Sequence, residues 1–252
     1  MLLKQIDLIR LAALSPSVHR FFPSEYGTDI KHSPSSAAEI VHQAKLQVRQ
    51  VLESETNDQL EYTYVVTGPW ADANYPAYLG PLIDSPELGS IDIKTRKAVL
   101  LGGFGDDGGW KGEKIGMTTT SDVGKFVVAA LLHPKASRNR ALLVNSFTVT
   151  PPEIMAEFQR QTNTSEKDWA IEFTSLEALK EIEKEFWSNK SKLAPIATLR
   201  RIWTEGGALP AALNNAAIGV VETDSLADAV KLAIETQLSK QSEKANDGRV
   251  FM

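Results

Sequence analysis

Cysteine is absent from the 252-residue chain, which excludes disulfide staples and thiolate metal sites. Histidine is sparse: His19, His32, His42 and His133 are scattered without a metal-ligand spacing, so no metal is expected. No apolar run approaches the ~18 residues that a membrane span needs. A basic excess is missing too, since the net charge is −5, and this argues against a nucleic-acid footprint. Internal repeats and low-complexity linkers are also lacking. What remains, 42% hydrophobic and 23% charged residues, is an ordinary globular composition with enough apolar material for a sizeable core. A soluble, cytoplasmic protein is the expectation. Met1-Leu2-Leu3-Lys4 opens an amphipathic helix containing Asp7 and lacks a small-residue cleavage site, so it does not read as a signal peptide.

The chain is organised around residues 18–68. Before them, Leu2, Ile6, Ile9 and Ala13 repeat at helical spacing and predict a helix over 2–14, broken by Ser15-Pro16-Ser17. Val18 to Phe22 reads as a buried strand that Pro23 ends. Ser33-Pro34 and the capping-box spacing Ser36-x-x-Glu39 mark a helix reaching about Glu53, followed by a β-prone strand over Tyr62–Val66. Ala38, Val41, Val48 and Leu52 then fall within roughly 60° of Lys45 on the helical wheel, so Lys45 lies in an apolar stripe. Two readings of that lysine stay open. Its stem packs while the ammonium snorkels to water, or a desolvated amine with a lowered pKa accepts a proton beside a cofactor. Ligands of open α/β sheets bind beyond the carboxyl ends of strands, which places Ser24, Glu25 and Tyr26 at site level. Thr67-Gly68-Pro69-Trp70 lies at the next strand end, where glycine permits close approach and Trp70 either walls a pocket or packs in the core.

Farther on, residues 71–97 read as an irregular segment over the site. Gly103-Phe104-Gly105-Asp106-Asp107-Gly108 fits G-x-G-x-x-G, yet no helix follows and two aspartates stand where a phosphate would sit. It reads instead as a hairpin loop between Val99 and Thr118. Thr120, Ser121 or Asp122 caps a helix that His133-Pro134 stops, Ala141 to Val144 is a strand, and Thr150-Pro151-Pro152-Glu153 is a second capping box. Helices are expected near 151–161, 175–188, 195–204 and 224–238. Lys180, Glu181, Glu183, Lys184 and Glu185 form a solvated charged face, and Phe173, Phe186, Trp187 and Trp203 either line a substrate pocket or pack in the core.

Arg20-Phe21-Phe22-Pro23-Ser24-Glu25-Tyr26-Gly27, then Ala44-Lys45-Leu46-Gln47-Val48-Arg49, then Tyr62-Thr63-Tyr64-Val65 together resemble the isoflavone reductase-like and NmrA-like family of atypical short-chain dehydrogenases/reductases. The similarity continues through Thr118–Val127 and Val144–Thr150. It implies an α/β fold: a partial NAD(P)-binding Rossmann-type parallel sheet with a mostly helical C-terminal substrate-side region. Residues 1–252 would be one domain, with 1–72 and 115–150 as the Rossmann part and 73–114 and 151–252 on the substrate side. The implied activity is NADP(H)-dependent hydride transfer to a small organic substrate. Ordinary short-chain dehydrogenases use Tyr-x-x-x-Lys, but Val41 stands four residues before Lys45, so tyrosine acid–base chemistry is excluded there. The resemblance implies instead that Lys45 is the general base, that Arg49 contacts NADP, and that Pro23, Ser24, Tyr26 and Gly68 lie beside the cofactor. The family also contains non-catalytic NADP-sensing, partner-binding regulators, which form the competing class. A homo-oligomer or a regulatory protein partner stays open, whereas nucleic acid and membrane are not expected partners.

The family pattern begins with a strand and a glycine-rich turn that hold the NADP diphosphate, and this chain starts later in that pattern. An N-terminal truncation is therefore expected, with an unpaired strand edge near Val18–Phe22. The expected outcome of titrating the 252-residue chain with NADPH by fluorescence or calorimetry is weak binding or none, because the anion-binding helix N-terminus is missing. A micromolar dissociation constant would contradict this.

Overall fold

The computed structural model describes residues 2–55, 60–72 and 78–247. In chain order its elements are α1 (Gln5–Leu14), β1 (Arg20–Phe21), α2 (Pro34–Ala38), α3 (Gln43–Glu55), β2 (Glu61–Val66), β3 (Ser90–Asp92), β4 (Lys97–Leu101), β5 (Ile115–Met117) and α4 (Thr120–Leu132). There follow α5 (Pro134–Ser137), β6 (Arg140–Leu143), β7 (Phe147–Val149), α6 (Pro151–Gln161), β8 (Ala170–Thr174), α7 (Leu176–Ser188), α8 (Ala194–Thr204) and α9 (Leu226–Asp247). The chain forms two compact units. The first comprises Met1–Pro69, Gly116–Ser146 and Gly207–Thr223, and the second Trp70–Ile115, Phe147–Gly206 and Asp224–Met252.

The first unit is built on a parallel sheet of order β1-β2-β6. Arg20 pairs with Glu61 and Phe21 with Tyr62, while Thr63 to Val66 pair with Arg140 to Leu143. Parallel neighbours need a crossover rather than a tight turn, and α3 lies in the one between β1 and β2. Thr63 to Val66 of β2 are all buried, and successive side chains go to opposite faces as a pleat requires. Tyr64 and Val66 join Ile9, Val48, Leu52 and Leu60 in one cluster, whereas Val65 joins Phe126, Ala130, Leu142 and Ile218 in another. The strand expected over 18–22 keeps ladder geometry only at Arg20 and Phe21, because Pro23 offers no donor beyond them.

The helix expected from Ser33 to Glu53 is interrupted. Ser33, not Ser36, is its N-cap, accepting from the Ser36 N–H at 3.1 Å. Glu39 takes an extended ψ of 136°, so α2 stops and a 3-10 turn, Ile40–His42, leads into α3. The Ser36–Glu39 capping box does not form, since the Ser36 hydroxyl donates to the Asp29 carbonyl instead. Ala38 therefore leaves the stripe beneath Lys45, which keeps Val48 and Leu52. The α4 cap is Thr119, one residue before the expected candidates, accepting from the Asp122 N–H at 3.2 Å.

The second unit carries a sheet of order β3-β4-β8, antiparallel then parallel. Both β3 and β8 escaped the sequence reading, because three and five residues of mixed polarity leave little period-2 signal. Within the Gly103–Gly108 region a small hairpin does close, by an antiparallel bridge between Phe104 and Trp110 and a Lys111 N–H to Gly103 carbonyl bond of 2.7 Å. Its flanks do not extend as the expected ladder, since β4 takes β3 and β8 as neighbours. The Thr150–Glu153 capping box is present at the start of α6. Glu183 is not on a solvated face: it bonds Arg201 and Thr198 of α8. Trp203 is buried, Phe173 is exposed, and the Trp187 indole N–H donates to the Thr198 hydroxyl. Residues 73–77 of the irregular segment and 56–59 of the turn after α3 lie outside the described residues.

Phe126 is fully buried in the first unit and Val128, two residues on, is exposed. Phe126→Ala is expected to cost about 3–5 kcal/mol of unfolding free energy, and Val128→Ala about 0.5 kcal/mol or less. Urea titrations of both variants check this pair.

Candidate active site

The site is built at the carboxyl ends of β1, β2 and β6. The Pro23-Ser24-Glu25 corner turns the chain at the end of β1, with the Glu25 N–H bonded to the Pro23 carbonyl at 2.8 Å. The turn drives the Glu25 side chain inward to 1% exposure. A buried carboxylate must be paired, and α3 supplies the partners. Arg49 donates from Nε to Oε1 at 3.0 Å and from its terminal nitrogen to Oε2 at 2.8 Å. Its guanidinium carbon lies 4.3 Å from the centre of the Tyr64 ring, where a cation gains from the aromatic face. Lys45, one turn earlier on the same helix face, places Nζ 3.3 Å from the Glu25 carbonyl oxygen and 3.9 Å from Oε2.

Lys45 is 17% exposed. Burial pushes its pKa below the usual lysine range, with Arg49 adding to the fall while Glu25 and Asp29 pull the other way. The net direction is down, so the amine gives up its proton more readily than a surface lysine does. Burial also raises the pKa of Tyr26, whose ring packs on the Phe126 cluster.

Gly27 lets the backbone approach this amine, and Gly68 is bonded to Gly27. A Cβ on Gly27 would stand 3.6 Å from Lys45 Nζ, and the Gly27 carbonyl accepts the Gly68 N–H at 2.9 Å. Gly68 has φ +64°, and a Cβ there would lie 2.4 Å from the Gly116 carbonyl oxygen, so the position admits only glycine. Gly68 also lines a narrow cleft with Asp29, His32, Thr67, Gly116, Asn145 and Ala208. Its enclosed part measures about 20 Å³, room for a single water. A wider depression of about 550 Å³ shares Asp29, His32, Leu143 and Pro210 with it.

Of the residues expected at the site, the structure brings Lys45 and Arg49 together around Glu25, with Gly68 joined to them through Gly27. Pro23 is buried at the corner, and Ser24 is exposed with its N–H bonded to the Gln5 side chain at 2.7 Å. Arg49 spends its donors on Glu25 inside the protein. Sequence reasoning left Gly27, Asp29, His32 and Asn145 out of the site and placed Glu25 at site level without a role. Gly27 closes the Arg20–Gly27 run that carries the family resemblance, and an acid in that run opposite two cations on one helix face was the available signal for Glu25. Asn145 had none, since only β2–β6 pairing brings it to Gly68.

The NmrA-like family model matches residues 2–215. An oxidoreductase of Aspergillus flavus, aprR, is 29% identical over 194 residues, covering 77% of this chain and 58% of its own length. The isoflavone reductase of Medicago sativa is 28% identical over 182 residues, 70% of this chain and 51% of that one. The chain thus spans about half the length of these curated relatives. Among solved structures, the leucoanthocyanidin reductase–NADPH complex from Vitis vinifera superposes with a TM-score of 0.67 at 16% identity, over 92% of this chain and 71% of that one. An isoflavone reductase crystal structure gives 0.67 at 21%, over 91% and 71%. These likenesses establish the fold, a Rossmann-type α/β architecture.

Glu25→Gln is expected to lower the Lys45 pKa further, because burial then acts against a weaker opposing charge, and to cost about 3–5 kcal/mol of stability by leaving Arg49 buried without its counter-charge. Nζ-detected NMR of Lys45 against pH, alongside chemical denaturation, reads both. A rise in the Lys45 pKa would show that Glu25 is not what opposes the burial.

Proposed function

The chain belongs to the NmrA-like family, and we propose that it is the proton-handling part of an NADP(H)-dependent reductase acting on a small organic substrate. The observation that carries this reading is the desolvated Lys45 amine, held by Glu25 at the carboxyl end of a parallel sheet, where such sheets bind ligands.

The residues beside the amine fit the reactive end of the cofactor: Gly27 puts no side chain next to Lys45 Nζ, where a Cβ would stand at 3.6 Å. No glycine-rich turn opening a helix exists among the described residues to hold a diphosphate. The Gly103–Gly108 segment closes on itself, with Asp107 accepting the Gly109 N–H at 3.0 Å. When bound, NADP(H) supplies the hydride.

The chain's own residues do the rest. Lys45 exchanges the substrate proton at Nζ, a task suited to an amine whose pKa has been brought down toward the working pH. Glu25 holds that amine through its carbonyl and carboxylate oxygens and keeps it from straying. Arg49 acts on the reaction through Glu25, fixing the carboxylate at both oxygens, and its cofactor-side role is indirect in this reading. Gly68, with Ser24 and Tyr26 at the neighbouring corner, borders the cofactor. Thr67, Asn145 and His32 of the cleft orient polar groups of the substrate, and packing around them excludes water and shortens the search for a reactive pose.

In a version of the protein extended by the family's N-terminal glycine-rich strand and turn, with NADPH in excess and a panel of small carbonyl and aryl-ether substrates, Lys45→Ala is expected to lower kcat about 10²–10⁴-fold while leaving cofactor affinity within a few-fold. The kcat/KM of the parent should rise with pH through a midpoint below the usual lysine value. A parent that oxidises no NADPH on any substrate, with Lys45 titrating in the ordinary lysine range, would overturn the reading in favour of a cofactor-sensing regulator.

A further inference from the structure

His42 sits where the loop over the cleft meets the helix that carries Lys45. It closes the 3-10 turn before α3 and precedes Lys45 by three residues. The residue is 2% exposed. Nδ1 lies 2.7 Å from the Ser36 carbonyl oxygen, which can only accept, so Nδ1 carries the proton and Nε2 keeps its lone pair in the neutral ring. Nε2 is buried and has no hydrogen-bond partner among the described residues. A second proton would place an N–H where nothing receives it.

The bond to Ser36 is one link of a longer chain. The Ser36 hydroxyl donates to the Asp29 carbonyl at 3.2 Å, the same carbonyl accepts the His32 N–H at 3.2 Å, and the Asp29 carboxylate accepts the Lys31 N–H at 2.9 Å. Asp29 and His32 line the cleft. A continuous path of hydrogen bonds therefore joins His42 to two cleft residues without passing through Lys45 or Glu25.

We propose that His42 is a positioning residue whose neutral ring holds the loop before α2, and with it Asp29 and His32, in the arrangement that shapes the cleft, and whose protonation releases that loop. The groups facing His42 are Lys45 of α3, Glu39 at the end of α2 and Glu25 of the corner after β1. Burial is the largest influence and holds the His42 pKa below its ordinary value; Lys45 adds to the fall, while the Ser36 carbonyl, Glu39 and Glu25 oppose it. The unfolded chain therefore takes up the proton first as pH falls. The ring's stabilising contribution is complete above an ordinary pKa of about 6.5 and is lost as pH drops from there through the lower folded value. This proposal needs only the loop geometry and stands whether or not the reductase reading does.

The test is an NMR titration of the whole chain without added ligand, from about pH 7.5 to about pH 4.5, spanning both states of the ring. The His42 ring signals are expected to titrate below the ordinary histidine value, and the Asp29, Lys31 and His32 amides to move with the same midpoint while the β2 amides stay still. His42→Asn supplies an amide donor in place of Nδ1 and does not titrate, so it should keep the neutral-pH loop shifts and abolish that midpoint. Ser36→Ala should leave the His42 titration intact but uncouple the Asp29 amide from it, and this variant carries the test if His42→Asn does not fold. Loop amides that follow the exposed His32 and persist in His42→Asn, or that move only with global unfolding, would overturn the proposal. So would a His42 titration to which the parent loop does not respond.

Discussion

The first unit depends on how the buried carboxylate of Glu25 is satisfied. Glu25 at 1% exposure is tolerable only because Arg49 meets it with two donors and Lys45 stands beside it. Replacing such a group by packing alone is often neutral or stabilising, whereas breaking it is costly. The arrangement therefore fixes geometry more than it adds stability. It ties the corner after β1 to the middle of α3, so the crossover helix cannot rotate about its axis without stranding charge. Val48 and Leu52 on the same helix then fall onto Ile9 and Tyr64, and the apolar packing follows the polar constraint.

That constraint also sets the chemistry. An amine held between a carbonyl, a carboxylate and a guanidinium in a dry setting feels desolvation first and its neighbours second, and the balance makes it give up its proton more readily than a surface lysine. At Gly68 the left-handed backbone and the 2.4 Å approach that a Cβ would make to the Gly116 carbonyl leave no alternative residue, and its N–H is bonded to Gly27, the glycine that stands beside the amine.

Where expectation and structure parted, local signals had a tertiary competitor. Ser36-x-x-Glu39 has the spacing of a capping box, but the Ser36 hydroxyl finds the Asp29 carbonyl and Ser33 takes the capping role. The same diversion creates the route from His42 to the cleft. In the second unit, Gly103–Gly108 spells a dinucleotide fingerprint in letters alone. Its Asp107 instead organises the loop, accepting the Gly109 N–H and pairing with Lys111. Glu183 looked like one more solvated acid until α8 brought Arg201 against it.

The sequence by itself determined the α/β class, the order of β1, α3 and β2, the placement of Lys45 and Arg49 on one helix face, and, by resemblance, the family. These are short-range properties: β-propensity, helical period, and motif residues at fixed offsets read the same in any context. Only the tertiary structure decided that Glu25 is the hub of the site, that Asn145 and His32 reach the cleft, and that His42 is buried with a lone pair to spare. Each of those depends on residues distant in the chain meeting across β2 and β6 or across the α2–α3 break. Burial and hydrogen-bond partnership belong to those meetings, and no window along the chain contains them.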